Sequence, residues 1–297
     1  MRNLLSANFL RLRKSALFWS SLALMAGHAL WQIRYHTAFA QVTIDMMIFD
    51  YAVSVSIVSA VWSSLFLGTD HSDGTLRNKL VAGHPRTAIY FANLITNTAV
   101  ALLQCAAYLA VTFGLGSFLI GPTRMEPGRL LSLFAGTIAT TAALCAIFTA
   151  VGMLCARRTA AAILCVAGSF ALFGYMSSVD SYLNVPEYAV SIEFHENREP
   201  DITYQLNDVG YVSGARRAVF EFLDDVVPSG QAVQYMRHLR RETPSSFVEL
   251  LTAEQLEEYE RHMRPEVDPL PLIAYSLALT AAVTAAGIAL FRRKDLK

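Results

Sequence analysis

Charge is scarce in this 297-residue sequence. Asp, Glu, Lys and Arg make up 16% of it, against about a quarter in soluble proteins, while 54% is apolar. That excess excludes a disordered chain. Basic and acidic side chains number 24 each, and a net charge of zero excludes a strongly basic nucleic-acid binder, so no nucleic-acid partner is expected. Cysteine is rare as well. Cys105, Cys145, Cys155 and Cys165 all fall inside apolar runs, which argues against a disulfide framework. Proline is missing from the interiors of those runs. This argues against a secondary transporter, whose substrate sites use broken helices. No repeat relates one half to the other.

Complete catalytic signatures are missing too. His195-Glu196-Asn197-Arg198-Glu199 begins like a zinc-protease motif, but its fifth position is glutamate, so the second metal ligand is lost. Glu257, Glu258 and Glu260 read as an exposed helix face rather than a cation site. No GxSxG is present. Of the four lysines only Lys14 precedes Ser or Thr, and it lacks the glycines of a P-loop. No catalytic residue, metal or cofactor is expected, and this chain supplies no P-loop ATP site.

What the sequence has is long apolar runs. Six windows approach the roughly 20 residues that cross a bilayer: 16–33, 46–68, 88–120, 130–155, 159–176 and 270–291. The expected fold is all-α and membrane-embedded. Residues 1–15 would form an amphipathic helix with Leu5, Phe9 and Leu12 on one face. Residues 16–176 would hold spans one to five, 177–269 an insert outside the cytoplasm, and 270–297 the sixth span with a basic tail. Thirteen Lys and Arg flank one side of these spans, and Arg34, Arg124 and Arg129 the other. The positive-inside rule therefore puts both termini in the cytoplasm of a multi-pass cell-membrane protein. Ala38-Phe39-Ala40 could end a signal peptide, but the run before it is long for one, and the expectation is an uncleaved first span.

The segment 177–269 carries 18 of the 24 acids and eight arginines. Its first third reads as irregular or strand-like. Helices are expected over 215–227, ended by Pro228, over 231–241, and over 246–263, where Thr252 and Gln255 are spaced as a capping box. Alanine rows, Ala142-Ala146-Ala150 and Ala274-Ala278-Ala282-Ala286, suit close helix approach in lipid.

Several polar residues fall inside the spans. Asp50 is expected near the outer interface, where a charge costs less than the ~2.5–3.5 kcal/mol of mid-membrane. His28 could bond a neighbouring helix. Asn97 and Gln104, two turns apart, could glue helices or line a pathway.

The loop after the second span is the most specific stretch. Asp73-Gly74 makes a turn, and Thr75 can cap a helix running to about Ala82. Leu76 and Leu80 share a face, Arg77 and Lys79 point elsewhere, and Gly83 and Pro85 stop the helix. Asp70 and Asp73 suit a helix N-terminus. Such a helix fits a groove in a soluble partner, or lies on lipid.

The run Gly74-Thr75-Leu76-Arg77-Asn78-Lys79-Leu80, then Gly83-His84-Pro85-Arg86 and an apolar span, resembles the permease subunits of type-2 ATP-binding-cassette (ABC) exporters. The six-span plan, the basic N-terminal segment and Phe291-Arg292-Arg293-Lys294-Asp295 agree. Gly210-Tyr211-Val212-Ser213-Gly214 with Pro228-Ser229-Gly230-Gln231 resembles a bacterial subgroup with an insert before the last span. Asp70 stands where the family often has glutamate. The resemblance implies that this loop couples to a separate ABC ATPase subunit through Asp70, Gly74, Thr75, Leu76, Arg77, Asn78, Lys79 and Leu80. It implies pairing with a second permease copy or paralogue, and export of an amphipathic peptide, lipid or drug. An alternative is a membrane sensor or immunity protein that binds a peptide through its acidic outer segment.

Overall fold

The computed structural model describes residues 1–38, 43–155, 157–193, 201–207, 210–238, 264 and 266–294. The described chain is helical apart from one hairpin and its connections. In order it forms α1 (Arg2–Arg13), α2 (Ala16–His36), α3 (Asp45–Ile48), α4 (Tyr51–Ser72), α5 (Thr75–Val81) and α6 (Arg86–Val111). A π turn (Thr112–Gly116) leads into α7 (Ser117–Leu119), followed by α8 (Pro127–Leu154), α9 (Arg158–Leu183), strands β1 (Tyr188–Glu193) and β2 (Asp201–Leu206), α10 (Gly214–Val226), α11 (Pro228–His238) and α12 (Pro269–Arg293).

Among the described residues, five stretches are long and apolar enough to cross a membrane: Asp45–Ser72, Arg86–Leu119, Pro127–Leu154, Arg158–Leu183 and Pro269–Arg293. This is the build of a multi-pass membrane protein. The first sequence window gives α2, whose 21 residues span about 31 Å but are diluted by His28 and Gln32, and it is not among the five. The third window is not one uninterrupted α-helix. Its last turns rewind as the π turn, a local insertion that redirects a helix without proline. The link from α8, ending at Leu154, to α9, starting at Arg158, is short. At α12, the Asp268 carboxylate caps the Leu270 N–H at 3.0 Å, and Pro269 occupies a first-turn position where its missing N–H costs nothing.

Two apolar cores sit at opposite ends of the bundle. At the end holding Met1 and the close of α12, Leu4, Leu12, Phe18, Trp62, Phe66, Leu76, Tyr90, Met153 and Phe291 pack together. At the far end, Met25, Ile33, Met47, Tyr51, Tyr108 and Leu133 enclose Ala232, Val233 and Tyr235 of α11. Each core thus takes in short helices as well as spans: α1 and α5 at one end, α11 at the other.

The insert differs in part from its sequence reading. The strand-like stretch contains an antiparallel hairpin pairing Tyr188 with Leu206 and Glu193 with Asp201. Pro228 does not merely end α10. It opens α11 after the single joint residue Val227, because its fixed φ suits the first helical position. The expected helix over 246–263, the capping pair Thr252 and Gln255, the acidic trio Glu257, Glu258 and Glu260, and the HExxH-like run lie outside the described residues.

Candidate functional site

The turn between α4 and α6 builds α5 from two glycines. Gly74 is the N-cap, with φ +66°, and Gly83 closes the helix with φ +83°. Both values lie in the left-handed region that glycine adopts at least cost. The Gly83 and His84 N–H groups cap the Leu80 and Lys79 carbonyls, and Pro85 then starts α6. Thr75, expected as the cap, is instead the first helical residue.

The faces of α5 depart from the sequence reading in two ways. Leu76 is buried and Leu80 half-buried, and both pack on the protein's own core. The apolar face therefore is not offered to a partner. Arg77, Asn78, Val81 and Ala82 are exposed, Val81 at 81%. Lys79 does not point outward. Its ammonium reaches Asp70 at 2.9 Å. Substitution separates the two faces. Leu76→Ala should cost about 2–3 kcal/mol of stability through the cavity it leaves. Val81→Ala should stay within about 0.5 kcal/mol. Thermal unfolding of the purified protein reads both.

Asp70 is not a helix N-terminal charge in solvent. It sits inside the last turns of α4, fully buried, and its carboxylate takes Arg11 of α1 on one oxygen and Lys79 of α5 on the other. Arg11 also donates to the Phe66 carbonyl at 3.1 Å and to the Thr69 hydroxyl, and lies over the Phe66 ring. One carboxylate thus ties α1 and α5 to the end of a span.

Asn8 extends the network and was missed from sequence. The buried face of α1 is Leu4, Asn8 and Leu12, while Phe9 is exposed. The Asn8 amide donates to Asn93 Oδ1 at 3.0 Å and Thr96 Oγ1 at 3.1 Å of α6. The spacing i, i+4, i+8 was the available signal, but an asparagine between two leucines reads as a polar interruption. The end of α12 closes the same region. Arg86 donates to the Phe291 carbonyl at 2.7 Å and to that of Lys294, whose ammonium caps Met153 O at 3.0 Å.

Within the bundle, Asn97 and Gln104 are fully buried and bonded. Asn97 donates to Thr149 of α8 at 3.0 Å. Gln104 donates to Ser21 of α2 and accepts from Ser59 of α4 at 3.0 and 2.9 Å. Both join helices within the bundle. Asp50 is buried at the break between α3 and α4, where the Gln32 amide donates to it. His28 is half-buried, its ring beside that of Tyr108.

At the far end, residues 228–235 of α11 are all buried, although the segment reads as polar. Gln231 explains it. Its carbonyl accepts from Thr140 of α8 at 2.7 Å and from Ser276 of α12 at 2.6 Å, and its amide donates to the carbonyls of Asp225 and Leu272. The Tyr235 ring lies directly on Gly136, where any Cβ would overlap it. Of the two alanine rows, Ala146 and Ala150 of α8 are buried, whereas Ala274, Ala278, Ala282 and Ala286 of α12 face outward.

No protein-family model matches the chain, and no curated protein sequence matches it.

Proposed function

We propose that the chain is the permease subunit of an ATP-driven ABC exporter, acting with a separate ATPase subunit to move an amphipathic peptide, lipid or drug out of the cell. The observation that carries this reading is α5: a short helix outside the spans, fastened through buried Asp70, with Arg77, Asn78 and Val81 turned to solvent. A helix held this firmly can transmit a push, and a helix free on a lipid surface cannot. ATP binding in the partner would move α5. Asp70 and Arg11 would carry that movement to α4 and α1, and Asn8 to α6. The ATPase must favour one bundle conformation over the other for this to drive transport.

In this reading α2 is a sixth span. Its exposed Trp19 lies near one end, and exposed Trp31 and Tyr35 near the other, the places where aromatic side chains meet the two membrane interfaces. The described ends of the chain then share the cytoplasmic side with the basic loops. The outward alanine row of α12 supplies a surface on which a second permease copy can pack closely. The seated α11 closes the opposite end.

Purification of the tagged full chain from membranes of its native host tests the reading. A P-loop ATPase should co-purify in stoichiometric amount, and Val81→Asp with Arg77→Glu should remove it without changing the unfolding midpoint. Absence of any ATPase from the wild-type preparation contradicts the proposal and favours a sensor or immunity role.

A further inference from the structure

A set of charged groups lies where α9, α10, α11 and residue 264 meet. Asp224, in the last turn of α10, is completely buried. Its Oδ2 accepts from Arg264 Nη2 at 2.9 Å, and its Oδ1 has no hydrogen-bond partner among the described residues. The other amino group of Arg264, Nη1, donates to Asp180 of α9 at 3.1 Å. Asp180 also accepts from Arg237 of α11 at 2.7 Å and from Asn184 at 2.9 Å. Arg237 reaches the hydroxyls of Ser177 and Ser181 as well. The Asp224 backbone carbonyl takes the Gln234 amide of α11 at 2.9 Å. One guanidinium therefore serves two carboxylates, and the corner between α10 and α11 is built on the one that is less well satisfied.

We infer that the Asp224–Arg264–Asp180 cluster is a proton-operated latch on the α10–α11 pair, in which a proton on Asp224 keeps α11 seated in the bundle and its loss loosens it.

Geometry sets the sign. Seating closes Asp224 away from water with one oxygen unpaired, so the charged form is penalised there and the neutral form is not. Among the described residues, the charged groups acting on it are Arg264, Asp180 from α9 and Asp225 from α10 itself; Arg237 of α11 acts on Asp180, and α12 contributes none. Burial is the largest influence and raises the carboxyl, Arg264 lowers it, and Asp180 and Asp225 raise it, leaving it at about 7 against an ordinary 3.8. The seated state thus binds the proton more tightly than an Asp224 open to water. Acid favours seating, and the advantage is lost as pH rises from near 4 through 7. Between pH 6 and pH 8 this linkage weakens seating about tenfold.

The consequence for export, a far end that opens more readily in neutral or alkaline surroundings than in acid, rests on the exporter reading. The latch itself does not, and its test uses neither transport nor ATPase. Ser229 of α11 is 2% exposed and Ser72, at the other end of the bundle, is open. The full-length protein carrying Ser229→Cys and Ser72→Cys is reconstituted in lipid nanodiscs and treated with a maleimide. Mass spectrometry then gives labelling at 229 relative to 72. This ratio should rise about tenfold from pH 6 to pH 8, and Asp224→Asn should make it independent of pH. Arg264→Gln, which removes the group that lowers the Asp224 carboxyl, should move the transition to higher pH and keeps the test open if Asp224→Asn does not fold. A flat ratio with Asp224 present, an equal rise in Asp224→Asn, or a transition that stays put or falls in Arg264→Gln overturns the latch.

Discussion

Asp70→Asn should loosen α1 and α5 from the end of α4 more severely than any other single substitution at the termini end of the bundle. The carboxylate is fully buried between two cations that approach from different helices. Replacing it with an amide leaves Arg11 and Lys79 facing each other with no anion between them. Breaking a buried ion pair from one side costs about 3–5 kcal/mol, and the lower figure applies because the Arg11 side chain is 35% exposed. At 1.4 kcal/mol per factor of ten, about 3 kcal/mol weakens the seating of α5 more than a hundredfold. The expected result is a fold that survives with its spans intact and, under the exporter proposal, transport that collapses. A double-mutant cycle separates this from general damage. Lys79→Met added to Asp70→Asn removes the orphaned ammonium, so the pair should cost clearly less than the sum of the singles in thermal unfolding. Additive costs would show that Asp70 does not hold α5 through Lys79.

The largest effect at the far end is expected from Gln231→Leu. Leucine fills a similar volume but breaks four hydrogen bonds, to Thr140, Ser276 and the carbonyls of Asp225 and Leu272. Each buried group left unpaired costs about 1–3 kcal/mol. Thr140 keeps a second bond, to the Gly136 carbonyl at 3.0 Å, so the net loss should be about 3 kcal/mol rather than the full sum. Amide hydrogen exchange across 228–235 should then accelerate by about a hundredfold while α8 and α12 keep their protection. Unchanged exchange would mean that α11 is held by its apolar side chains alone.

Much of the architecture could be read from apolar run lengths, because lipid-facing and core-facing positions on a span are both apolar and the run survives whichever way the helix turns. The bounds of α5 were legible for another reason. Glycine at 74 and 83 is dictated by backbone conformation, which a single residue reveals. What could not be read was every feature made by partners distant in sequence. Lys79 looked like a surface charge because its acceptor sits on a different helix. Asn8 broke an apolar stripe whose polar member bonds α6. Residues 228–235 look like a surface segment, and their burial depends on acceptors and donors in α8 and α12. The bond from Gln32 of α2 to Asp50 leaves no trace in the sequence around either residue. Apolar burial follows periodicity; polar burial follows from pairing, and pairing across helices leaves no local pattern.

In the exporter proposal the outward face of α5 is the contact with an ATPase. A photo-cross-linking side chain at Val81 in the full chain, irradiated in native membranes, tests it most directly, with the same group at buried Leu76 as the internal comparison. An adduct joining this chain to a P-loop ATPase is expected from position 81 and none to any ATPase from position 76. Adducts from position 81 to lipid alone, or equal ATPase adducts from both positions, would contradict it.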